Sequence, residues 1–205
     1  PPTHPAGNFA RVSCIEKFVL EFLASAVASS PSSSSPSPHV SGQSNYHTTY
    51  LVSPRAHVLQ VISLGAGKDS LFFRLKEAGR APTGGYFEVD FEAVSTWKAR
   101  LIETTPALSA LAGGYKHAPF PGCYRLVSGD LRDTGVLEDK LRAAGVNFSA
   151  PTVFLAECVL VYMEDHESDA LLRWCSSTFP DSLFAAYEMT KPNDAFGIMM
   201  RQNIQ

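Results

Sequence analysis

The sequence predicts an α/β fold, a parallel sheet with flanking helices, on three observations. Short apolar runs of strand length alternate with stretches of helical periodicity from residue 58 onward, the pattern of strands joined by helical crossovers. The segment VISLGAGKDSLFFRL (61–75) joins one such run to one such helix through a tight glycine turn. Acidic residues recur just beyond the later strand-like runs: Asp90 in YFEVDF (86–91), Asp130 in YRLVSGDLRD (124–133) and Glu157 in PTVFLAECVLVYM (151–163).

The elements follow in order. Residues 8–23 read as a helix, because Val12, Ile15, Val19, Phe22 and Leu23 repeat at three- and four-residue spacing while Arg11, Glu16 and Lys17 fall on other faces. Residues 25–44 are rich in serine and proline and bury too little apolar surface to offset their ordering entropy, so they are expected to form a disordered insertion. Then come strand 58–64 and helix 70–78, strand 85–89 and helix 91–102, strand 124–128 and helix 136–144, strand 152–157 and helix 164–179, and strand 183–187 and helix 194–202. Residues 106–122, with glycine, proline and aromatic residues, read as an irregular loop. No internal repeat interrupts this order, and one domain over 1–205 with the 25–44 insertion is the expected division.

Composition narrows the function classes. A chain of 205 residues with 45% apolar content can bury one sizeable core. No run of about 18 consecutive apolar residues occurs, so no membrane span is expected. A net charge of −3 argues against binding a phosphate backbone, which needs a clustered basic face, and nucleic acid is not expected as a partner. Cys14, Cys123, Cys158 and Cys175 form no C-x-x-C pair and read as reduced thiols of a cytoplasmic protein. The six histidines are scattered without metal-ligand spacing, and no Ser-His-Asp or Cys-His arrangement is legible.

The glycine turn is the chemical centre. Gly65 and Gly67 allow a sharp turn and close approach of a ligand to the backbone, and Asp69 and Ser70 are candidate caps of the next helix. Asp90 stands 25 residues after Gly65, where a ribose diol needs an acceptor; a helix N-cap is the rival reading. A dinucleotide fingerprint would carry a third glycine, but Ser70 occupies that position and Asp69 would repel a diphosphate. S-adenosylmethionine suits the site better, because it has a sulfonium, an ammonium and a carboxylate but no phosphate. Glu157 follows four apolar residues and precedes three more, a costly place for an acid unless a cation pairs with it. Asp133 reads as a helix cap, and for Tyr162 the lining of an acceptor pocket and core packing both remain open.

The segments LGAGKDSLFFRL, YFEVDF, GDLRD and AECVLVYM, with NFARV upstream and YEMTKPNDAFGIMM downstream, closely resemble the leucine carboxyl methyltransferases over residues 8–23 and 57–203. That family esterifies the C-terminal leucine of the phosphatase 2A catalytic subunit. The resemblance implies a class I methyltransferase (Rossmann-like) sheet, incomplete here at its C-terminal edge because five of seven strands are visible. It implies S-adenosylmethionine as donor and a protein carboxylate as acceptor, and a monomer is expected. It further implies that Arg11 of the ARV motif contacts the carboxylate of the donor, and that Asp130 and Leu131 hold the adenine, Asp130 receiving its exocyclic amine. By the same resemblance the chain is expected to be truncated at both ends, and the insertion departs from the family's shorter connection.

An α-carboxylate has a pKa near 3.5 and is already an ionised nucleophile at neutral pH, so no general base is needed and none is assigned. Two alternatives stand beside this reading: the related methyltransferase of tRNA wybutosine synthesis, and an inactive fragment that only binds the cofactor. A nicotinamide oxidoreductase is disfavoured by Ser70.

Overall fold

The structure, a computed structural model, describes residues 5–28, 58–113, 124–188 and 193–204. Its centre is a five-stranded sheet of order β3-β2-β1-β4-β5, parallel throughout, as the alternation predicts. The strands are β1 (Gln60–Leu64), β2 (Gly85–Asp90), β3 (Tyr124–Ser128), β4 (Thr152–Glu157) and β5 (Ser182–Tyr187). β1 to β4 are buried on both faces along most of their length, which is why they read as near-continuous apolar runs.

Alternate strand residues feed two cores. On one face Ile62, Leu64, Phe87, Val89 and Phe154 pack against α5 (Thr134–Ala143) and α6 (Asp165–Thr178) through Leu137, Leu141, Leu171 and Cys175. On the other, Val61, Tyr86, Tyr124, Val153 and Leu155 pack with α1 (Pro5–Ala28), α2 (Leu71–Glu77), α3 (Glu92–Thr104) and α4 (Pro106–Ala112). Ile15 and Val19 seat α1 on that second face, and Phe72 stacks on Tyr124 with ring centroids 4.4 Å apart. α7 (Ala195–Ile204) is the last element.

Three expectations are corrected. The segment expected as an irregular loop from residue 106 begins instead with α4: Pro106 at its first turn is already set to helical φ, Leu108, Leu111 and Ala112 repeat on one face, and Gly113 at φ 58° ends it. The expected insertion starts too early, because α1 continues through Ala28, where alanine-rich sequence favours helix; the rest of 25–44, and residues 114–122, lie outside the described residues. Ser70 occupies the N-cap of α2 without capping it: its Oγ accepts from Arg74 NH1 (2.7 Å), while Asp69 Oδ1 accepts from the Leu71 N–H (3.1 Å). Asp133 caps α5 as expected, its Oδ1 accepting from the Val136 N–H.

Candidate functional site

Strand order reverses between β1 and β4, and the crevice beyond the carboxyl ends of these two strands is where an open α/β sheet binds ligands. Two cavities open there and share Gly65 in their walls. The first, about 290 Å³, is lined by Gly65, Asp90, Phe91, Asp130, Leu131 and Tyr162, with Val159, Met163 and others completing it. The second, about 360 Å³, is lined by the turn from Gly65 to Ser70 together with Val12, Arg74 and Glu157.

Gly65 is where the two halves meet, and its glycine is required twice over. Its φ is 60°, left-handed backbone that L side chains rarely adopt, and a Cβ there would stand 2.7 Å from Val159 Cγ2. Gly67, at φ 52°, would place a Cβ in no clash, its closest contact being the Gly65 carbonyl oxygen at 4.0 Å. Its N–H donates to Asp90 Oδ2 at 2.7 Å, so the strand-end acid ties down the glycine turn.

Asp90 is therefore not the cap of α3: the N-cap position belongs to Phe91, and Asp90 Oδ1 accepts from the Phe91 N–H (2.7 Å). Each carboxylate oxygen keeps acceptor capacity beyond these bonds, which a pair of hydroxyls could use. Asp130, at the next strand end, is gripped by Arg132: Oδ1 accepts from Nε (2.9 Å) and Oδ2 from NH2 (2.6 Å). These hydrogen bonds hold its carboxyl below the ordinary range, so it remains an anion facing the first cavity.

Glu157 ends β4 half-buried and lines the second cavity, rather than lying nearly enclosed among apolar groups as its flanking sequence suggests. The chain escapes that enclosure by turning at once: Cys158 adopts φ 54°, the only positive φ of a non-glycine among the described residues, and Val159 and Leu160 lead into a short 3-10 turn, Leu160–Tyr162. Tyr162 is 66% exposed on this turn and belongs to a cavity wall, not to the core. Of the expected residues, Gly65, Asp90, Asp130, Leu131 and Tyr162 share the first cavity, and Gly65, Gly67 and Glu157 the second. Arg11 lies in α1 beside Val12, which lines the second cavity; its side chain is outside the described residues.

Sequence reasoning missed two acids that shape this site. Glu188, just past β5, accepts the N–H groups of Val159 and Leu160 on Oε1, both at 2.9 Å, and so fixes the turn that carries Tyr162. Glu88 lies two residues before Asp90 with 1% exposure, paired with the equally enclosed Lys98 of α3 and accepting from the Tyr124 hydroxyl (2.8 Å). Burial pushes the Glu88 carboxyl up to about 7 against the downward pull of Lys98 and Tyr124. An acid in the middle of the apolar run YFEVDF was the available signal for it.

The linings of the two cavities match the chemistry of a donor of the expected kind. The first joins apolar walls to two carboxylates, suited to an adenosine, and the second is polar with acids and bases together, suited to a zwitterionic tail. The acids would repel a diphosphate at the same place.

Comparison with known proteins bears on family and fold. The family profile described as leucine carboxyl methyltransferase matches residues 43–176. A tRNA wybutosine-synthesizing protein 4 of Rattus norvegicus is 42% identical over 153 residues, 71% of this chain and 22% of that protein. A leucine carboxyl methyltransferase 1 homolog of Arabidopsis thaliana is 35% identical over 162 residues (76% of this chain, 48% of the relative), and leucine carboxyl methyltransferase 1 of Caenorhabditis elegans is 39% identical over 155 residues (71% and 46%). The chain thus spans about a fifth of the first relative and just under half of the other two. Among solved structures, a DUF574 family protein from Streptomyces avermitilis superposes with a TM-score of 0.52 at 18% identity, covering 71% of this chain and 52% of that one, a likeness of fold.

Proposed function

The chain belongs to the leucine carboxyl methyltransferase family, and we propose that it binds S-adenosylmethionine along the switch-point crevice and directs its methyl group to the C-terminal leucine carboxylate of a phosphatase 2A catalytic subunit. The observation that carries this reading is the pair of cavities meeting at Gly65, one apolar and flanked by Asp90 and Asp130, the other polar and closed by Glu157. When bound, the donor supplies a methyl group activated on a sulfonium.

The residues divide the work of holding it. Asp90, oriented by Gly67 and Phe91, accepts from the ribose hydroxyls, and Asp130 with Leu131 receives the adenine. Glu157 offers its carboxylate to the cationic end of the donor, and Arg11, one residue before the cavity-lining Val12, is assigned the donor carboxylate through a bidentate guanidinium fork. Tyr162 stands on the wall of the first cavity, exposed enough to meet an acceptor. The acceptor carboxylate is ionised at neutral pH, so alignment and exclusion of water at this crevice can lower the barrier by several kcal/mol without a proton transfer. Among the described residues no helix is long and apolar enough to cross a membrane.

The test incubates the full-length protein with methyl-labelled S-adenosylmethionine and a phosphatase 2A catalytic subunit, with and without its terminal leucine, and locates the label by mass spectrometry. Label confined to the intact C-terminus is the expected result. A second reading rests on the 42% identity to a tRNA wybutosine-synthesizing protein; tRNA in a parallel incubation decides it, because label in the tRNA and none in the phosphatase would replace the protein acceptor with a nucleic-acid one.

A further inference from the structure

We infer that Lys98 and Glu88 form a buried strap that holds the Gly65–Ser70 turn in place, making Lys98 a positioning residue for the amino-acid half of the donor. The inference rests on the donor reading above and deepens it. Lys98 is 4% exposed and Glu88 1%. Besides its pairing with Glu88, Lys98 Nζ donates to the Asp69 backbone carbonyl at 2.6 Å. The Tyr124 hydroxyl donates to the same Glu88 oxygen, Oε2, that Lys98 meets, and so helps to orient that carboxylate.

The same strand therefore grips the turn at two points. Asp90 takes the Gly67 N–H directly, and Glu88, on the same face two residues earlier, holds the Lys98 ammonium that takes the Asp69 C=O. The clamped residues, Gly67 to Asp69, form a wall of the polar cavity and none of the apolar one.

Stability alone does not account for such a pair. A buried ion pair loses on desolvation much of what it gains by attraction, and replacing both partners with apolar groups of similar volume is often neutral or stabilising. What an apolar pair cannot supply is the donor for Asp69. The turn has no regular ladder to satisfy that carbonyl, and a cavity wall left to shift by an ångström would misplace whatever binds against it.

The experiment uses the full-length protein with Glu88→Gln and Lys98→Met together. This variant keeps an acceptor for Tyr124, fills the space of the lysine stem and leaves no buried charge. Calorimetric binding is measured for S-adenosylhomocysteine and for methylthioadenosine, which shares the adenosine but lacks the amino-acid end. The expected result is a loss of at least about tenfold for S-adenosylhomocysteine, a change of about 1.4 kcal/mol, with methylthioadenosine and the melting temperature nearly unchanged. Should the methionine form not fold, Glu88→Gln with Lys98→Gln keeps a polar filling, and its arm, one bond shorter, no longer reaches Asp69; the same selective loss is expected. Equal weakening of both ligands, or of neither, in a folded variant overturns the strap. Failure of the wild type to bind S-adenosylhomocysteine overturns the donor reading itself and the inference with it.

Discussion

Replacing Gly65 with alanine separates two costs that the structure keeps at one position. The residue sits at φ 60°, and left-handed backbone costs an L residue roughly 1–2 kcal/mol. The added methyl would also lie 2.7 Å from Cγ2 and 3.2 Å from Cγ1 of Val159, an overlap of the kind that costs about 1–3 kcal/mol when neighbours must move. Gly65→Ala should therefore destabilise by roughly 2–5 kcal/mol, and by pushing Val159 away it disturbs both cavities at their junction. Gly67→Ala has a similar φ, 52°, but its methyl meets nothing nearer than the Gly65 carbonyl oxygen at 4.0 Å, so only the backbone cost of roughly 1–2 kcal/mol should appear. Val159→Ala removes both clashing methyls and leaves Cβ at an ordinary 3.6 Å. The double variant Gly65→Ala with Val159→Ala should then be less destabilised than the two single losses added together. The assay is urea unfolding of the four variants, with S-adenosylhomocysteine affinity measured beside it. Equal costs for the two glycine variants, or strict additivity in the double variant, would refute the assignment of the excess to Val159.

Two further outcomes follow from the acids of β2. Asp90→Asn keeps one acceptor but turns an N–H group towards the Gly67 or Phe91 donor, so S-adenosylhomocysteine affinity should fall by on the order of 1.5–3 kcal/mol; unchanged affinity in calorimetry would leave Asp90 with the loop alone. Glu88 has a native pKa raised from 4.5 to about 7, so its contribution to stability is complete below about 4.5 and is lost as pH rises through about 7. Wild-type unfolding free energy should drop more steeply across that window than that of Glu88→Gln, and parallel pH profiles for the two would count against the buried carboxyl.

Much of the fold was legible because a parallel sheet writes its strands as compact apolar runs: β3 and β4 begin and end where the sequence reading places them. β1 starts two residues later than its apolar run suggests, and pairing explains the difference. Its ladder with β2 opens at Gln60 against Gly85, while Gly84 crosses so close to Leu59 that a Cβ there would stand 2.6 Å from the Leu59 carbonyl oxygen. α4 was hidden by the glycine and proline at its two ends, which punctuate a short helix as readily as a loop.

The site was legible to the same depth, and for the same reason. Parallel strands deliver all their carboxyl ends to one edge, so acids that follow strands converge there whatever the details, and Asp90, Asp130 and Glu157 do line one crevice. Which acid faces which cavity depends on the turn after β4, where the positive φ of Cys158 swings Val159 against Gly65 and Glu188 ties the next two N–H groups; these contacts join residues about 30 and about 90 positions apart. Lys98 shows the limit most sharply. A lysine in an amphipathic helix is by default solvated, yet Ser95, Lys98 and Ile102 fall on one buried face, and the charge that makes its burial tolerable lies on another element, in a strand whose flanks are apolar. Each half of that pair looks like an exception to its own local pattern, and the two exceptions account for each other once β2 and α3 are packed together.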